Sequence, residues 1–573
     1  MILQALKEYY DRKAADPESG IAPLGWELKE IPYLIVLDRE GRLVNVEDTQ
    51  EKVGKKLRAR TFMVPQSVKR SGNAKPYFLW DNVEFATGIV CKNSDEKVRD
   101  YHSSFLELLR NHANVPTVNA VLTFLSSPSL PEDLDKFPAW KDAKATCAFI
   151  AFRFVDSNGT IFDDPSIKRI VDERAVVQQE NQSGIVDLVT GERQPLAVLH
   201  PAIKGVAGAN TTGANVVSFN FDAAKSFGKE QGGNSPIGIK TAFEYTTALN
   251  TLLSKDSRQK MYVGDAVMVF WSERKDDFED AFASFFAEPP KDNPDLQVEQ
   301  VSTLFRSPET GTASFDEDTT RFYVLGLSPN AARLSVRFWH IGTVAEMAGR
   351  FRQYFSDLEI VHGSKEKDHL SLWRLLVSTA VQGKSENIAP NLAGNVMRSI
   401  LEGLPFPETL LQSVLMRIKA DHGITYARAK LIKGFLNRKW RFNNPNQERI
   451  LTVSLDTDNN NIGYRLGRLF AVLERVQESV NPNINATIKD RFYAAASSAP
   501  ITVFGNLMRL AQNHLSKLGK EKPGYRVNLE KQLQEVIDGV VQFPAHLSLD
   551  DQGQFAIGYY HQRQSFFEKK DIE

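Results

Sequence analysis

An α+β fold is predicted: a mainly antiparallel part over residues 1–360, then an all-α helical bundle over residues 361–573. Three observations predict it. Short β-branched and aromatic runs bounded by turn residues recur through the first part, as in YLIVLD at 33–38 and MYVGDAVMVFW at 261–271. Strand signals almost vanish after about residue 360. Beyond that point apolar residues recur at helical spacing, as at Leu466, Leu469, Phe470, Leu473 and Val476.

The elements follow in order. Residues 1–20 read as a helix packing through Leu3, Leu6 and Tyr9 or Tyr10. Residues 33–38 and 42–46 form a hairpin, with Gly41 able to take positive φ in its turn. Residues 61–64 are a strand, and Tyr77-Phe78-Leu79-Trp80 read as core because they are contiguous rather than spaced along a groove. A helix spans 96–111 through Phe105, Leu106 and Leu109. A buried strand is expected over 145–154, a turn at Asp156-Ser157-Asn158-Gly159, a returning strand at 160–162, and a short helix at 165–174. A hairpin turns over Thr190-Gly191-Glu192. A strand is expected at 216–221 and a helix from Thr241. The acidic stretch 272–311 is an exposed insertion around a short helix, 276–287. Residues 322–327 and 333–339 pair as strands and 343–355 is a helix. Nine helices follow, at 368–381, 389–404, 407–421, 425–438, 461–479, 486–495, 501–518, 527–542 and 548–567.

Composition is that of an ordinary globular protein: 573 residues, 42% hydrophobic, 25% charged. No apolar run reaches the ~18 residues of a membrane span. The amphipathic start MILQALKEYYDRKAAD carries acids where an export signal is apolar. With Cys91 and Cys147 as the only cysteines, a disulfide scaffold and a Cys-rich zinc site are excluded, and a cytoplasmic location is expected. Net charge is −1, yet eight Lys/Arg and no acid lie between Lys52 and Lys75, and eight with one acid between Arg417 and Arg441. Each run fits a nucleic-acid contact or a solvated charged face.

The candidate binding chemistry sits in two loops. Residues 204–250 open with Gly205, Gly208, Asn210, Gly213 and Asn215, and continue through the loop 226–234. Glycine allows close backbone approach, and small amides and lysine suit a phosphate or a base edge. A Gly/Asn-rich connector explains the same pattern. The spacing Gly208 to Gly213 matches a P-loop, but Ala214 and Asn215 stand where Lys and Ser/Thr are required. The second loop is Lys69 to Lys75, where cations flank Gly72 and Asn73. In the helical part, Arg465, Arg468 and Arg475 fall on one flank at 3.6 periodicity. They suit a strand-holding surface, or solubility and internal pairing.

Catalytic patterns are missing. There is no H-E-x-x-H, no G-x-S-x-G and no close His/Asp cluster. The stretch from Asp456 begins like a calcium loop but has Asn461 and Gly467 at the positions needing Gly and Glu. His200 reads as a packed or turn histidine. No catalytic residue, metal or cofactor is expected.

Several motifs, in order, carry a resemblance over essentially the whole chain: MILQALKEYYDR, Tyr77 to Asn82, Lys204-Gly205-Val206 through Ser218-Phe219-Asn220, Gly228-Lys229-Glu230-Gln231, Tyr245 to Asn250, and Gly463 to Phe470. The chain resembles the large subunit of the type I-C CRISPR surveillance complex, or Cascade. The resemblance implies a non-catalytic subunit bound to guide RNA beside the backbone and small subunits. It implies recognition of the protospacer-adjacent motif on double-stranded DNA, help in opening the duplex, and recruitment of a helicase-nuclease. Residues from about 450 to 573 resemble the small subunit, which lines the displaced strand and is also made from an internal start, here near 450–455. On that footing Lys69, Arg70, Asn73, Lys75, Lys229, Gln231 and Asn234 are the candidate motif contacts, with Gln231 the candidate wedge. Arg465, Arg468 and Arg475 are the candidate strand-holding cations. Two other readings stay open. One is a nuclease or nucleotidyl transferase with a dispersed site, which a metal-dependent cleavage assay discriminates. The other is an assembly subunit that binds guide RNA without reading DNA.

Overall fold

The computed structural model describes residues 1–54, 56–68, 70, 75–180, 184–263, 266–286, 318–389, 391–447, 450–482 and 484–567. By packing, the chain forms two units: Met1–Gly205 with Asn210–Ser254, and Val206–Ala209 with Lys255–Glu573. The second therefore contains a sheet as well as the helices. The fold is α+β, as expected.

The first unit begins with α1 (Ile2–Ala14), which buries Ala5, Leu6, Tyr9 and Tyr10 at helical spacing. Strand β1 (Trp26–Glu30) pairs with the strand at Thr61–Pro65. The main sheet uses β2 (Tyr33–Leu37), β3 (Leu43–Asp48), β4 (Trp80–Asn82) and β5 (Phe149–Phe154) in the order β3-β2-β5-β4. The β2–β5 pair at its centre is parallel, the others antiparallel. YLIVL suits the central position: every residue of β2 is buried, as a centre strand covered on both faces requires. The helices at Asp95–Arg110 and Pro116–Leu125 lie in the crossover.

Three strand expectations in this unit are corrected. Residues 145–146 end a helix, Pro138–Thr146, which stops where Cys147 turns left-handed, so β5 starts only at Phe149. Residues 160–162 lie not in a strand but at a 3-10 turn, because Thr160 and Asp163 form a reciprocal capping box. Residues 216–221 form no strand; Ala214 just before them makes one isolated bridge to Ile203. The helix α2 (Ile239–Leu252) forms as read and packs on α1, with Tyr10 edge-on to Phe243 at 5.9 Å.

The second unit opens with an antiparallel sheet of β6 (Lys260–Val263), β7 (Ala266–Ser272), β8 (Arg321–Asn330) and β9 (Arg333–Thr343). The short helix Asp277–Phe286 buries Phe278 and Phe282 on it. Most of the acidic insertion, 287–317, lies outside the described residues. The helices are α3 (Val344–Leu358), α4 (Leu372–Val377), α5 (Leu392–Glu402), α6 (Glu408–Asp421), α7 (Tyr426–Asn443), α8 (Ile462–Val480), α9 (Ile488–Ser498), α10 (Phe504–Glu521), α11 (Pro523–Ile537) and α12 (Leu549–Ser565). The expected helix at 368–381 shortens to α4.

Helix α7 carries much of the second basic run, and it points inward. Arg428 donates to the carbonyls of Ser378 and Gly423. Lys430 donates to Leu358 and Asp368, and Lys433 to Asp357. Arg438 donates to Ser399 and Leu404. These carbonyls include the last two of α3 and one in the final turn of α5, so the cations close neighbouring helices from inside. Burial, with Lys433 alongside, depresses the Lys430 ammonium from 10.5 to about 7. The folded chain therefore releases this proton near pH 7, while the unfolded chain holds it to 10.5. Stability is expected to rise with pH across that window, by at most about 1.4 kcal/mol per pH unit. Lys430→Met is expected to flatten this rise in denaturant melts taken at successive pH values. An unchanged slope would mean that Lys430 keeps its charge when folded.

Candidate nucleic-acid interface

The loop 226–234 is built to present its tip. Asn234 holds it: its Oδ1 accepts from the Ser226 N–H at 3.0 Å, and its Nδ2 donates to the carbonyls of Lys229 (3.2 Å) and Gln231 (3.1 Å). Lys225 is paired with Asp222 at 3.1 Å and Glu230 at 3.2 Å. The base is clamped by Gly232, whose N–H donates to Val198 O. A Cβ at Gly232 would lie 2.9 Å from that oxygen, so only glycine fits. The turn Phe227-Gly228 and Gln231 all take positive φ. Phe227 is left 96% exposed, with exposed Lys229 and Gln231 beside it.

Asn234 is thus a staple, with its amide occupied within the loop, rather than a free base reader. The side chains of Lys229 and Gln231 make no hydrogen bond or ion pair among the described residues. Phe227 escaped the sequence reading. Its signal was legible: a lone aromatic in SFGKEQGGN, where no apolar neighbour could enclose it.

The upstream glycines serve the backbone. Gly205 (φ +89) passes Leu253, where a Cβ would meet the carbonyl oxygen at 2.5 Å. Gly213 (φ +100) would crowd the Ala202 side chain at 2.8 Å. Gly208 lies against Pro329, since Val206–Ala209 packs with the second unit. Asn215 donates to the carbonyls of His200 and Pro201, and Asn250 bridges Ala202 O and Lys204 N–H. Asn210 is exposed. His200 is packed, as read: its Nδ1 lies 2.6 Å from the Tyr245 hydroxyl, and burial lowers its pKa to about 4.

The described residues of the other loop, Arg70 and Lys75, are tied to each other. Arg70 pairs with the fully buried Asp81, donates to Lys75 O at 2.9 Å, and sits between the rings of Tyr77 and Phe85. Burial raises the Asp81 pKa, and Arg70 opposes that rise. Arg70 therefore anchors the loop internally. Lys69 and Asn73 lie outside the described residues, and Lys75 is exposed. Arg58 and Arg60 of the same basic run face Glu30 and Glu47, each at 3.7 Å.

The arginine flank of α8 divides. Arg468 is 2% exposed and donates to Gln562, Thr457 O and Glu535, the last at 2.6 Å. It is a core residue, and the expected strand-holding role gives way to internal pairing. Arg465 donates to Asn459 O and Asn460 and lies over Gly539. Arg475 meets the Tyr525 hydroxyl at 3.1 Å. Both stay partly open to solvent.

Among the described residues, one grouping has metal-ligand spacing: Glu84, Cys91 and Cys147, within 4.8 Å of one another. Glu84 already accepts the N–H groups of Cys91, Lys92 and Asn93 and the Asn93 amide. Burial and Cys147 push the Cys91 thiol up to about 12. A loaded carboxylate and a protonated thiol make a poor ligand set. No helix among the described residues is long and apolar enough to cross a membrane.

The sequence pattern of the CRISPR-associated protein family Cas_Csd1 matches residues 6–567. No curated protein matches the chain.

Proposed function

The chain belongs to the CRISPR-associated Cas_Csd1 family, and from that premise we propose that it is the non-catalytic large subunit of a type I-C Cascade. In this reading it meets the guide RNA and the backbone and small subunits. It reads the protospacer-adjacent motif on double-stranded DNA, starts the R-loop, and recruits the helicase-nuclease. The observation that carries the reading is the 226–234 loop. Asn234 and Lys225 hold it from within, and among the described residues the side chains of Phe227, Lys229 and Gln231 have no hydrogen-bond, ion-pair or ring partner.

Division of labour follows from the side chains. Gln231 offers an amide that pairs with a base edge, and Lys229 offers a cation for a phosphate. Asn73 and Lys75 serve the same ends from the second loop. Phe227 is the better wedge than Gln231, because a bare aromatic gains from entering between base steps while an amide loses its water. Asn234 supports the loop and is not a reader.

The test is DNA binding by the reconstituted complex, with and without this chain, on targets differing only in the flanking bases. Binding that depends on both the motif and the chain is expected. Gln231→Ala is expected to lose about tenfold on the correct motif and little on others, as loss of one base contact does. Phe227→Ala is expected to keep motif choice but slow duplex opening, read by a fluorescent base analogue at the first target step. Equal loss by Gln231→Ala on all sequences would sink the base-reading role. Motif-dependent binding that survives removal of the chain would leave it a scaffold.

A further inference from the structure

A cavity of about 340 Å³ opens in the second unit, lined by Glu346, Gly349, Arg350, Gln353, Gly403, Arg438 and Arg441. Its volume is at the lower end of the ~300–1,000 Å³ of small-molecule sites. It lies between α3, the end of α5, and α7. The spacing of Glu346, Arg350, Gln353 and Asp357 puts them on one face of α3.

The floor is a network of charged side chains. The buried Asp357 accepts a fork from Arg441, at 2.8 Å to each oxygen, one donor from Arg438 at 3.2 Å, and the Gln353 amide at 3.2 Å. Two guanidiniums therefore share one carboxylate. Arg350 adds a third, extended over Gly403, where a Cβ would lie 3.3 Å from its Cδ. It has no ion pair among the described residues. The rim acid Glu346 accepts from the Thr343 N–H, capping α3, and nearby Glu402 is paired with Arg398. Among the described residues, Glu346 and Asp357 set against three arginines leave net positive charge in a concave site. Arg438 is also largely sequestered by Ser399 and Leu404, so the floor is rigid and Arg350 is the arm left to act.

We propose that this cavity holds a phosphate group. Guanidinium forks match phosphate oxygens and stay charged at any working pH. The two glycines leave walls without side chains, and the volume exceeds a bare anion, leaving room for an attached sugar. The phosphate comes either from a nucleic-acid strand or from a free nucleotide. The inference does not rest on the motif-reading loop, which is in the other unit.

The test uses the full chain with three probes: inorganic phosphate, a nucleoside monophosphate, and a labelled oligothymidylate. Arg350→Gln is expected to weaken the binding probe by about tenfold, as loss of one charge-assisted contact does. Gly349→Glu puts an acid at the mouth without removing any arginine. A Cβ there meets nothing within 4 Å, so the fold is expected to stand, and the loss should repeat. Oligonucleotide binding that is sensitive to both variants, competed by phosphate, identifies a strand as the source. Monophosphate binding sensitive to both variants, with oligonucleotide binding unaffected, identifies a free nucleotide. Binding of every probe unchanged by both variants, or no binding by the parent chain, overturns the proposal.

Discussion

Gly467→Ala is expected to lower the melting temperature of the chain by roughly 3 °C or more, although alanine is the better helix former. Helices α8 and α12 cross at their backbones. A Cβ on Gly467 would lie 2.8 Å from both the Phe555 carbonyl carbon and the Tyr559 nitrogen. One on Gly558 would lie 2.8 Å from the Tyr464 carbonyl carbon, and one on Gly463 2.9 Å from that of Asp551. Backbone cannot step aside as a flexible side chain can, so the helices must separate and lose packing along their length. Overpacking of this kind costs about 3 kcal/mol or more, against about 1 kcal/mol gained in helix propensity. At ~1.5 °C per kcal/mol for a unit of this size, the net loss of about 2 kcal/mol is a readable shift. Gly394→Ala is the control: it sits in α5, where an added Cβ meets nothing within 4 Å, and a small rise in melting temperature is expected. Calorimetry of the two variants decides the matter. Equal, small shifts would show that the α8–α12 crossing is looser than the geometry requires.

Arg468→Ala is expected to destabilise the helical unit by about 3 kcal/mol and to leave nucleic-acid affinity per folded molecule unchanged. The substitution empties a buried volume and strands the Gln562 amide and Thr457 carbonyl. Breaking a fully buried pair typically costs ~3–5 kcal/mol. The value here falls at the lower end because Glu535 is 52% exposed and regains water. Arg468→Lys is not expected to rescue, since one ammonium cannot serve three acceptors in different directions. Arg465→Ala should behave in the opposite way, with little thermal effect and a salt slope of DNA binding reduced by about one. Denaturant melts and salt titrations on the same preparations separate these outcomes. A reduced salt slope in Arg468→Ala, with an unchanged melt, would return Arg468 to the strand-holding surface.

Both predictions come from the motif Gly463 to Phe470, which carried part of the family resemblance. Its periodicity located the helix and its apolar face. It did not reveal that the glycines are the contact surface of a second helix ninety residues later. Nor did the arginine spacing tell inside from outside, because a 3.6 repeat marks a face and not what covers it. The second basic run shows the same limit. From Arg417 to Arg441 it reads as a cationic surface, yet Arg428, Lys430, Lys433 and Arg438 are buried against carbonyls at the ends of other helices. Asn234 reads as a free amide in the sequence, yet Ser226, Lys229 and Gln231 occupy it.

Local chemistry was legible wherever the determinant lay within a few residues. The hairpin at β2–β3, the β8–β9 pair, the helices α3 and α8, and the series of C-terminal helices belong here, unlike the run 261–271, which reads as one strand but folds back as the β6–β7 hairpin. So does the positive-φ turn of the exposed loop. These follow from side-chain period, turn residues and caps, which act over one or two turns of chain. Tertiary structure alone decided the parallel β2–β5 pair, the pairing of Arg70 with Asp81 and the inward turn of α7. It also decided the close α8–α12 crossing and the arginine cavity. Each joins residues far apart in the chain, and its sign depends on burial: the same guanidinium holds a phosphate when water can leave it, and closes a helix when a carbonyl is already there.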